Sequence, residues 1–329
     1  MYAEFYQFSG MPFQLTPDSR FFFGSSEHSR AISHLVYGLS QDEGFIVITG
    51  EVGAGKTTLV ERLASQLDPK VYTIARLMTA QLGPADIAPL VATAFAIEPG
   101  PERAPERSPE RAYLLRQIAE FLRARRAAGH RSLLIVDEVQ GLGVPALEEL
   151  RMLSNLSERG QALLQMILLG QPQFRRTLAS PELDQLRQRV LASYHLGPLG
   201  AAETEAYIRH RLAAVGGAAR PAWEPAAYAA VHRHAGGIPR QINRLCSRAL
   251  LFGALEQAET ITAAMIEETA AELAQDLGGG LATIAGAGPE AGRSSLGERV
   301  QQLERVVLRR ERIFERLISL LDSYVGAPR

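Results

Sequence analysis

The chain of 329 residues carries a formal net charge of −1 and 46% hydrophobic residues, the composition of a globular protein with room for two or three domains. The nearly balanced charge argues against bulk attraction to nucleic acid or acidic membranes, and the single cysteine, Cys246, excludes an internal disulfide framework and a cysteine-based zinc site. The N-terminus lacks a basic stretch followed by an apolar run, and no apolar run reaches about 18 residues, so we expect no signal peptide, no integral membrane segment and a cytoplasmic protein.

Residues 1–40 form the first predicted segment, in which aromatic residues and turn formers lead into a helical pattern. Residues 41–199 alternate short apolar runs with amphipathic helical patterns. The runs GFIVITG and RSLLIVDE are typical of buried strands. Strands separated by helices of about 10 to 15 residues predict a parallel sheet with helices on both faces, so this segment is α/β.

Residues 200–276 contain only helical patterns and predict a domain of four helices. A Gly/Ala-rich flexible linker is predicted at 277–295. Residues 296–325 return to an amphipathic helical pattern with apolar residues at heptad spacing. One row consists of Leu296, Leu303, Leu317 and Tyr324, and Arg310 interrupts it.

Three interpretations of the 296–325 helix are open. The heptad spacing favours a coiled coil for oligomerisation or for docking a partner. An amphipathic helix can equally pack back on its own domain. Several arginines favour a helix on a membrane surface, although the glutamates between them weaken that interpretation.

A phosphate-binding pattern follows the first buried strand. GEVGAGKT, residues 50–57, matches G-x-x-x-x-G-K-[ST], in which glycines let backbone N–H groups converge on phosphate oxygens. In this pattern Lys56 reaches the β- and γ-phosphates and the Thr57 hydroxyl binds Mg²⁺. A chance Gly-rich turn is the alternative, but the strand before and the amphipathic helix after favour a nucleotide site. The expected contact residues are Gly50, Glu51, Val52, Gly53, Ala54, Gly55, Lys56, Thr57 and Thr58.

Polar residues follow two later strand patterns. Because the carboxyl ends of parallel strands line the ligand crevice, we expect Asp137 to hold Mg²⁺ through water and Glu138 to polarise the attacking water. The alternative is a pair of carboxylates that only solvate a strand end. The Gln171 amide follows the next strand and is placed to reach the γ-phosphate or the water, unless it only caps the following turn. Glu138 favours hydrolysis over binding alone.

Three arginines are candidates for contact with a γ-phosphate. Arg187 and Arg189 precede the last strand pattern, where an arginine can point out of its own subunit toward a neighbour's nucleotide. The alternative for both is a solvated or ion-paired side chain. Arg240 lies in the first turn of the helix after GGIP, where a cation is mildly unfavourable. Its position indicates an anionic partner.

Together these motifs resemble those of the AAA+ ATPases. The resemblance implies a P-loop NTPase αβα sandwich, a helical lid at 200–276, ATP and Mg²⁺ as ligands, and ATP hydrolysis. It makes residues 50–57 the Walker A motif and places the Walker B acidic pair at Asp137 and Glu138. Gln171 falls at sensor 1, where Asn, Ser or Thr is more usual, and Arg240 at sensor 2. The trans-acting arginine finger falls at Arg189, with Arg187 as the alternative.

A closer resemblance covers residues 1 to about 275. YQFSGMPFQLTPDSRFFF, LLIVDEVQ, YIRHRL and GGIPRQINRLC, in this order, resemble the ExeA/GspA-type secretion ATPases, and within them the ATPases of exosortase (PEP-CTERM) and exopolysaccharide loci. This implies a homo-oligomer that acts with envelope secretion or polysaccharide-export proteins, and an N-terminal segment that packs on the nucleotide site. ExeA-type proteins continue into a transmembrane helix and a peptidoglycan-binding domain. This sequence predicts neither, so we expect any contact with the inner membrane to be peripheral, through a partner.

The main alternative is a DNA-associated AAA+ ATPase, related to origin-recognition or transposition-helper proteins. That function favours a basic DNA-binding module after the lid. A Gly-rich linker and an amphipathic helix follow instead, so nucleic acid is not an expected partner. A nucleotide-gated scaffold with negligible turnover is a third alternative.

Overall fold

The structure is a computed structural model, and it describes residues 2–16, 18–78, 83–97, 110–217 and 220–278. The predicted helix at 296–325 and nearly all of the predicted linker lie outside the described residues, so the three interpretations of that helix stay predictions. Among the described helices, none is long and apolar enough to cross a membrane.

Strands and helices alternate through the first two thirds of the chain. In the described ranges the strands are β1 (Phe45–Gly50), β2 (Tyr72–Met78), β3 (Arg131–Asp137), β4 (Ser157–Glu158), β5 (Gln161–Ala162), β6 (Gln165–Gly170), β7 (Val190–Leu196), β8 (Ala222–Trp223) and β9 (Thr260–Ile261). The helices are α1 (Tyr2–Phe5), α2 (Ser26–Ser40), α3 (Lys56–Gln66), α4 (Pro84–Ala94), α5 (Glu110–Ala127), α6 (Val144–Ser154), α7 (Pro172–Leu178), α8 (Asp184–Arg187), α9 (Ala201–Ala213), α10 (Pro225–Ala235), α11 (Pro239–Leu255) and α12 (Ala263–Gly278).

A five-stranded parallel sheet in the order β2-β3-β6-β1-β7 forms the centre of the core. Every residue of β1 and β6 is buried, because helices cover both faces. Phe45 and Val47 of β1 pack into the apolar cluster that includes α4 and α6, and Ile46 and Ile48 pack into the cluster on the opposite face with α2 and α3. The predicted α/β sandwich with a parallel sheet is confirmed.

The strand order determines where the functional residues meet. Because β6 lies between β3 and β1, the segments that follow these three strands leave the sheet side by side at its carboxyl edge. Residues 50–57 follow β1, Glu138 follows β3 and Gln171 follows β6. Residues far apart in the sequence therefore converge on one edge.

Helices α9 to α12 follow the sheet and form the segment that we call the lid. The sequence pattern predicted only helices here, and that was wrong in one detail, because the segment also contains the short parallel pair β8 and β9. Segments of two residues carry no periodicity, so the sequence pattern could not indicate this pair. The lid core includes Ile208, Val231 and Ile242, all fully buried.

The first 40 residues divide between the lid and the core. Helix α2 packs against β7 and β1 of the sheet. The residues before it join the apolar cluster of the lid instead, through a set of buried aromatic side chains. These are Tyr2, Tyr6, Phe8, Phe13 and Phe21.

Arg211 of α9 ties this aromatic segment to the lid. Its side chain is only 6% exposed, and its guanidinium lies 4.5 Å from the ring centre of Phe21. It donates hydrogen bonds to the backbone carbonyls of Pro12 and Gln14 and, at 2.8 Å, to the hydroxyl of Tyr207. A buried charge needs such partners, so this arginine holds the segment against the lid.

Candidate functional site

A cleft of about 360 Å³ opens beside the loop that follows β1. Three parts of the chain line it: the loop itself, the N-terminal segment and the lid. Gly53, Lys56 and Thr57 come from the loop, Phe22 from the N-terminal segment and Arg240 from the start of α11. The cleft therefore lies between the αβα core and the lid.

The loop at 50–57 has the backbone of a phosphate cradle. Gly53 and Gly55 have φ angles of 83° and 100°, which a residue with a side chain rarely adopts. Helix α3 begins at Lys56, so its positive end points out of the loop toward the cleft. The loop can thus present N–H groups and a helix dipole to one anion.

The Lys56 ammonium is buried and folded over its own loop. Its Nζ donates to the carbonyl oxygens of Gly50 at 2.8 Å and Glu51 at 3.0 Å. Burial lowers the pKa of Lys56, and the nearby carboxylates, Glu138 foremost, oppose that shift. A phosphate would supply the negative charge that offsets this burial.

Thr57 and Asp137 form the candidate metal-binding pair. The Thr57 hydroxyl donates to Asp137 Oδ2 at 2.7 Å, and the other carboxylate oxygen accepts from the backbone N–H of Glu138 at 2.8 Å. A hydroxyl and a carboxylate supply the oxygen ligands that Mg²⁺ prefers beside a triphosphate. The donor set fits this ion.

Glu138 lies beside the cleft in contact with two amide side chains. The Gln171 Nε2 donates to Glu138 Oε2 at 3.2 Å, and Gln140 Nε2 donates to the same oxygen. Gln171 is the N-cap residue of α7, but its side chain makes no capping hydrogen bond. The structure therefore places Gln171 against Glu138, and it adds Gln140, to which the sequence analysis gave no role.

The lid touches the loop at Arg240. The backbone N–H of Arg240 donates to the Gly53 carbonyl at 3.2 Å, and the exposed side chain lines the cleft. A Cβ atom on Gly53 would lie 2.2 Å from the Arg240 Cβ. Glycine at this position therefore allows the lid to reach the loop.

Replacing Gly53 with alanine is expected to lower nucleotide affinity roughly tenfold or more, because the new methyl group pushes the lid away from the loop. Calorimetric titration with ADP and with a non-hydrolysable ATP analogue measures this. Gly129→Ala is the matched control, because Gly129 has nearly the same φ, 84°, and no atom near the added Cβ. Equal affinity in both variants would contradict the assignment of this contact.

Arg187 and Arg189 do not line this cleft. They precede β7 and so lie toward the amino edge of the sheet, opposite the loop. The Arg187 Nη2 lies 2.6 Å from the Asp184 carboxylate. The exposed Arg189 donates to the Ser154 carbonyl at 3.4 Å. Neither arginine therefore contributes to the cleft of its own chain in this structure.

His28 is a cleft residue for which the sequence gave no functional signal. Its Nδ1 lies 2.6 Å from the Ser25 hydroxyl, and its Nε2 lies 3.0 Å from where a Cβ on Gly55 would be. Burial lowers the pKa of His28, and the carboxylates of Glu203 and Glu27 oppose this only in part. The imidazole packs against the loop in its neutral form.

The pKa shift of His28 predicts a loss of stability in mild acid. A folded-state pKa below the ordinary value of 6.5 means that the unfolded chain binds the proton more readily, so this stability is present above pH 6.5 and is lost as the pH falls through the folded-state pKa. We expect the fall in Tm from about pH 7.5 to about pH 5.5 to be smaller in His28→Gln than in the wild type. His34→Gln, at an exposed position on the same helix, serves as the control. Equal slopes would contradict the prediction.

Comparisons with known proteins give a consistent fold and one sequence relative. Residues 39–178 match the AAA domain family. The chain is 39% identical over 251 residues to general secretion pathway protein A of Aeromonas hydrophila, an alignment that covers 76% of this chain and 44% of that protein. The chain therefore spans less than half the length of this relative.

Three solved structures share the fold at low sequence identity. Cdc6p of Pyrobaculum aerophilum has a TM-score of 0.59 and 14% identity, covering 81% of this chain and 74% of that one. ORC2 of Aeropyrum pernix has a TM-score of 0.56 and 17% identity, covering 79% of this chain and 71% of that one. The RuvB Holliday junction branch migration motor of Thermotoga maritima has a TM-score of 0.51 and 18% identity, covering 77% of this chain and 70% of that one. The chain thus has the P-loop AAA fold.

Proposed function

We propose that this AAA-domain chain, a relative of general secretion pathway protein A, is an Mg²⁺-dependent ATPase that drives the assembly or operation of an envelope secretion or exopolysaccharide-export system. The observation that carries the ATPase assignment is the Thr57–Asp137 hydrogen bond beside Lys56 and Glu138. A site that only binds nucleotide needs Lys56, Thr57 and Asp137. Glu138 adds a base for water.

The residues divide the reaction between them. The backbone N–H groups of the loop and Lys56 bind the β- and γ-phosphates. Thr57 and Asp137 would hold Mg²⁺, Asp137 through water, and the bound ion would supply positive charge beside the phosphates. Glu138 takes a proton from a water molecule, whose oxygen bonds to the γ-phosphorus as the bond from that phosphorus to the β,γ-bridging oxygen breaks. The products are ADP and phosphate.

The lid and a second subunit complete the proposed site. Arg240, already in backbone contact with Gly53, turns its guanidinium onto the γ-phosphate and so couples the lid to the nucleotide. Gln171 senses the same phosphate through its contact with Glu138. Arg189, with Arg187 as the alternative, reaches the nucleotide of a neighbouring subunit, because neither lies at its own cleft. This function requires a homo-oligomer.

The proposed partners follow from the relative. Identity of 39% to a general secretion pathway protein supports a role in envelope secretion. The narrower assignment to exosortase and exopolysaccharide systems rests on the motif resemblance alone. Because the proposed substrate is ATP, the proposal includes a cytoplasmic location. We propose that a partner brings it to the inner membrane.

The alternative function is a DNA-associated ATPase. RuvB is a Holliday junction motor, and its fold is shared here. At 18% identity that likeness supports the fold alone, and a net charge of −1 supplies no general attraction to DNA. Retention on DNA that falls steeply with salt would favour this alternative.

Steady-state phosphate release with Mg²⁺-ATP, measured against protein concentration, tests the proposal. We expect turnover whose specific activity rises with concentration, because subunits share the site. Lys56→Ala removes the phosphate-binding ammonium and should abolish turnover, whereas Lys70→Ala, at the other lysine, should not. If the wild type shows no turnover at any concentration, the result would favour the alternative of a nucleotide-gated scaffold.

A further inference from the structure

Gln140 has no part in the reaction described above, yet its side chain lies between Glu138 and Gln171. Its Oε1 accepts a hydrogen bond from the backbone N–H of Gln171 at 2.9 Å, and its Nε2 donates to Glu138 Oε2. Only the oxygen of an amide can accept from a backbone N–H. The backbone N–H of Gln171, just after β6, takes the oxygen of the Gln140 amide. The nitrogen of that amide therefore faces the Glu138 carboxylate.

Two amide side chains hold one oxygen of the Glu138 carboxylate. Oε2 accepts from both Gln140 and the Gln171 side chain. The backbone of Glu138 is left-handed, with φ 56° and ψ 37°, which is uncommon for a residue with a side chain. Surrounding contacts must maintain such a conformation, and they determine where the carboxylate points.

We propose that Gln140 is a positioning residue for Glu138: its hydrogen bond to Oε2 holds the carboxylate in the orientation in which it takes the proton from the attacking water. This inference rests on the proposed ATP hydrolysis. Glu138 lines the cleft and Gln140 does not, so Gln140 acts through Glu138 rather than on the nucleotide. Its loss should slow the chemical step and leave nucleotide binding unchanged.

Two variants separate positioning from a structural link between β3 and β6. Gln140→Glu keeps an acceptor for the Gln171 N–H but replaces the amide donor to Glu138 with a second carboxylate, whereas Gln140→Met loses both hydrogen bonds. We expect kcat to fall roughly 10- to 100-fold in both variants, with KM for ATP and ADP affinity within about twofold of wild type. Gln173→Met, on the exposed side of α7, is the matched control and should behave as wild type.

A double variant tests whether Gln140 acts through Glu138. In the Glu138→Gln background, adding Gln140→Met should not change the residual single-turnover rate, because the group that Gln140 positions is already absent. An additive loss would overturn the inference.

The other outcomes are also decisive. If Gln140→Glu keeps the wild-type kcat and only Gln140→Met loses activity and Tm, Gln140 is a structural link between β3 and β6. That result would overturn the inference but not the proposed ATPase function. A rise in KM that accounts for the whole effect would overturn it as well. No turnover by the wild-type protein would overturn the proposed function and this inference together.

Discussion

Replacing Glu138 with glutamine is expected to slow ATP turnover by about 10²- to 10⁴-fold while ATP still binds. The variant keeps the size of the side chain but cannot accept the proton of the attacking water. Lys56, Thr57 and Asp137 are unchanged, so the phosphates and Mg²⁺ keep their partners. Steady-state phosphate release and calorimetric titration with ATP measure the two effects.

The control for this prediction is Glu158→Gln, at an exposed carboxylate on β4. It should leave both rate and affinity unchanged. Turnover in Glu138→Gln within about threefold of wild type would mean that another group takes the proton from the water. A parallel loss of ATP affinity would mean that the Glu138 charge acts chiefly by stabilising the buried Lys56 ammonium.

Replacing Arg189 with alanine is expected to lower turnover about 10³-fold or more, the typical effect of losing an arginine finger. Adding excess Glu138→Gln protein should restore activity. In a mixed assembly, an Arg189→Ala subunit keeps its own Glu138 and receives an intact Arg189 from its neighbour. Phosphate release from mixtures at several ratios provides the measurement.

Two other arginines serve as comparisons. Arg123→Ala, on the exposed side of α5, should be neutral. Arg187→Ala should have a small effect, since its side chain already pairs with Asp184. If Arg187→Ala is instead the inactive variant that Glu138→Gln rescues, the finger is Arg187. Loss of turnover in Arg189→Ala without rescue would contradict a finger that acts on the neighbour's nucleotide.

The core could be predicted from sequence because each of its elements carries a local signal. The apolar runs of β1 and β3 are continuous, since helices cover both faces of the sheet, and the helices between strands have clear periods. The loop at 50–57 has a composition that few other structures require. For such elements, local pattern and tertiary environment agree.

The contacts around Glu138 could not be predicted in the same way. Gln140 and Gln171 are 31 residues apart, and their hydrogen bond depends on the adjacency of β3 and β6. His28 likewise reaches the loop only because α2 packs beside it. Spacing along the chain does not record these contacts. The sequence of the aromatic residues before α2 likewise gave no sign that the lid buries them.

The packing of the N-terminal aromatic segment against the lid also affects how the chain folds during synthesis. Tyr2 and Phe13 are buried against residues that begin at Leu199, so the core can form before the segment finds its partners. At ribosomal rates this delay is on the order of ten seconds or more. Until the lid has been made, the aromatic side chains lack the residues that bury them, and exposed apolar surface of this kind is prone to aggregate.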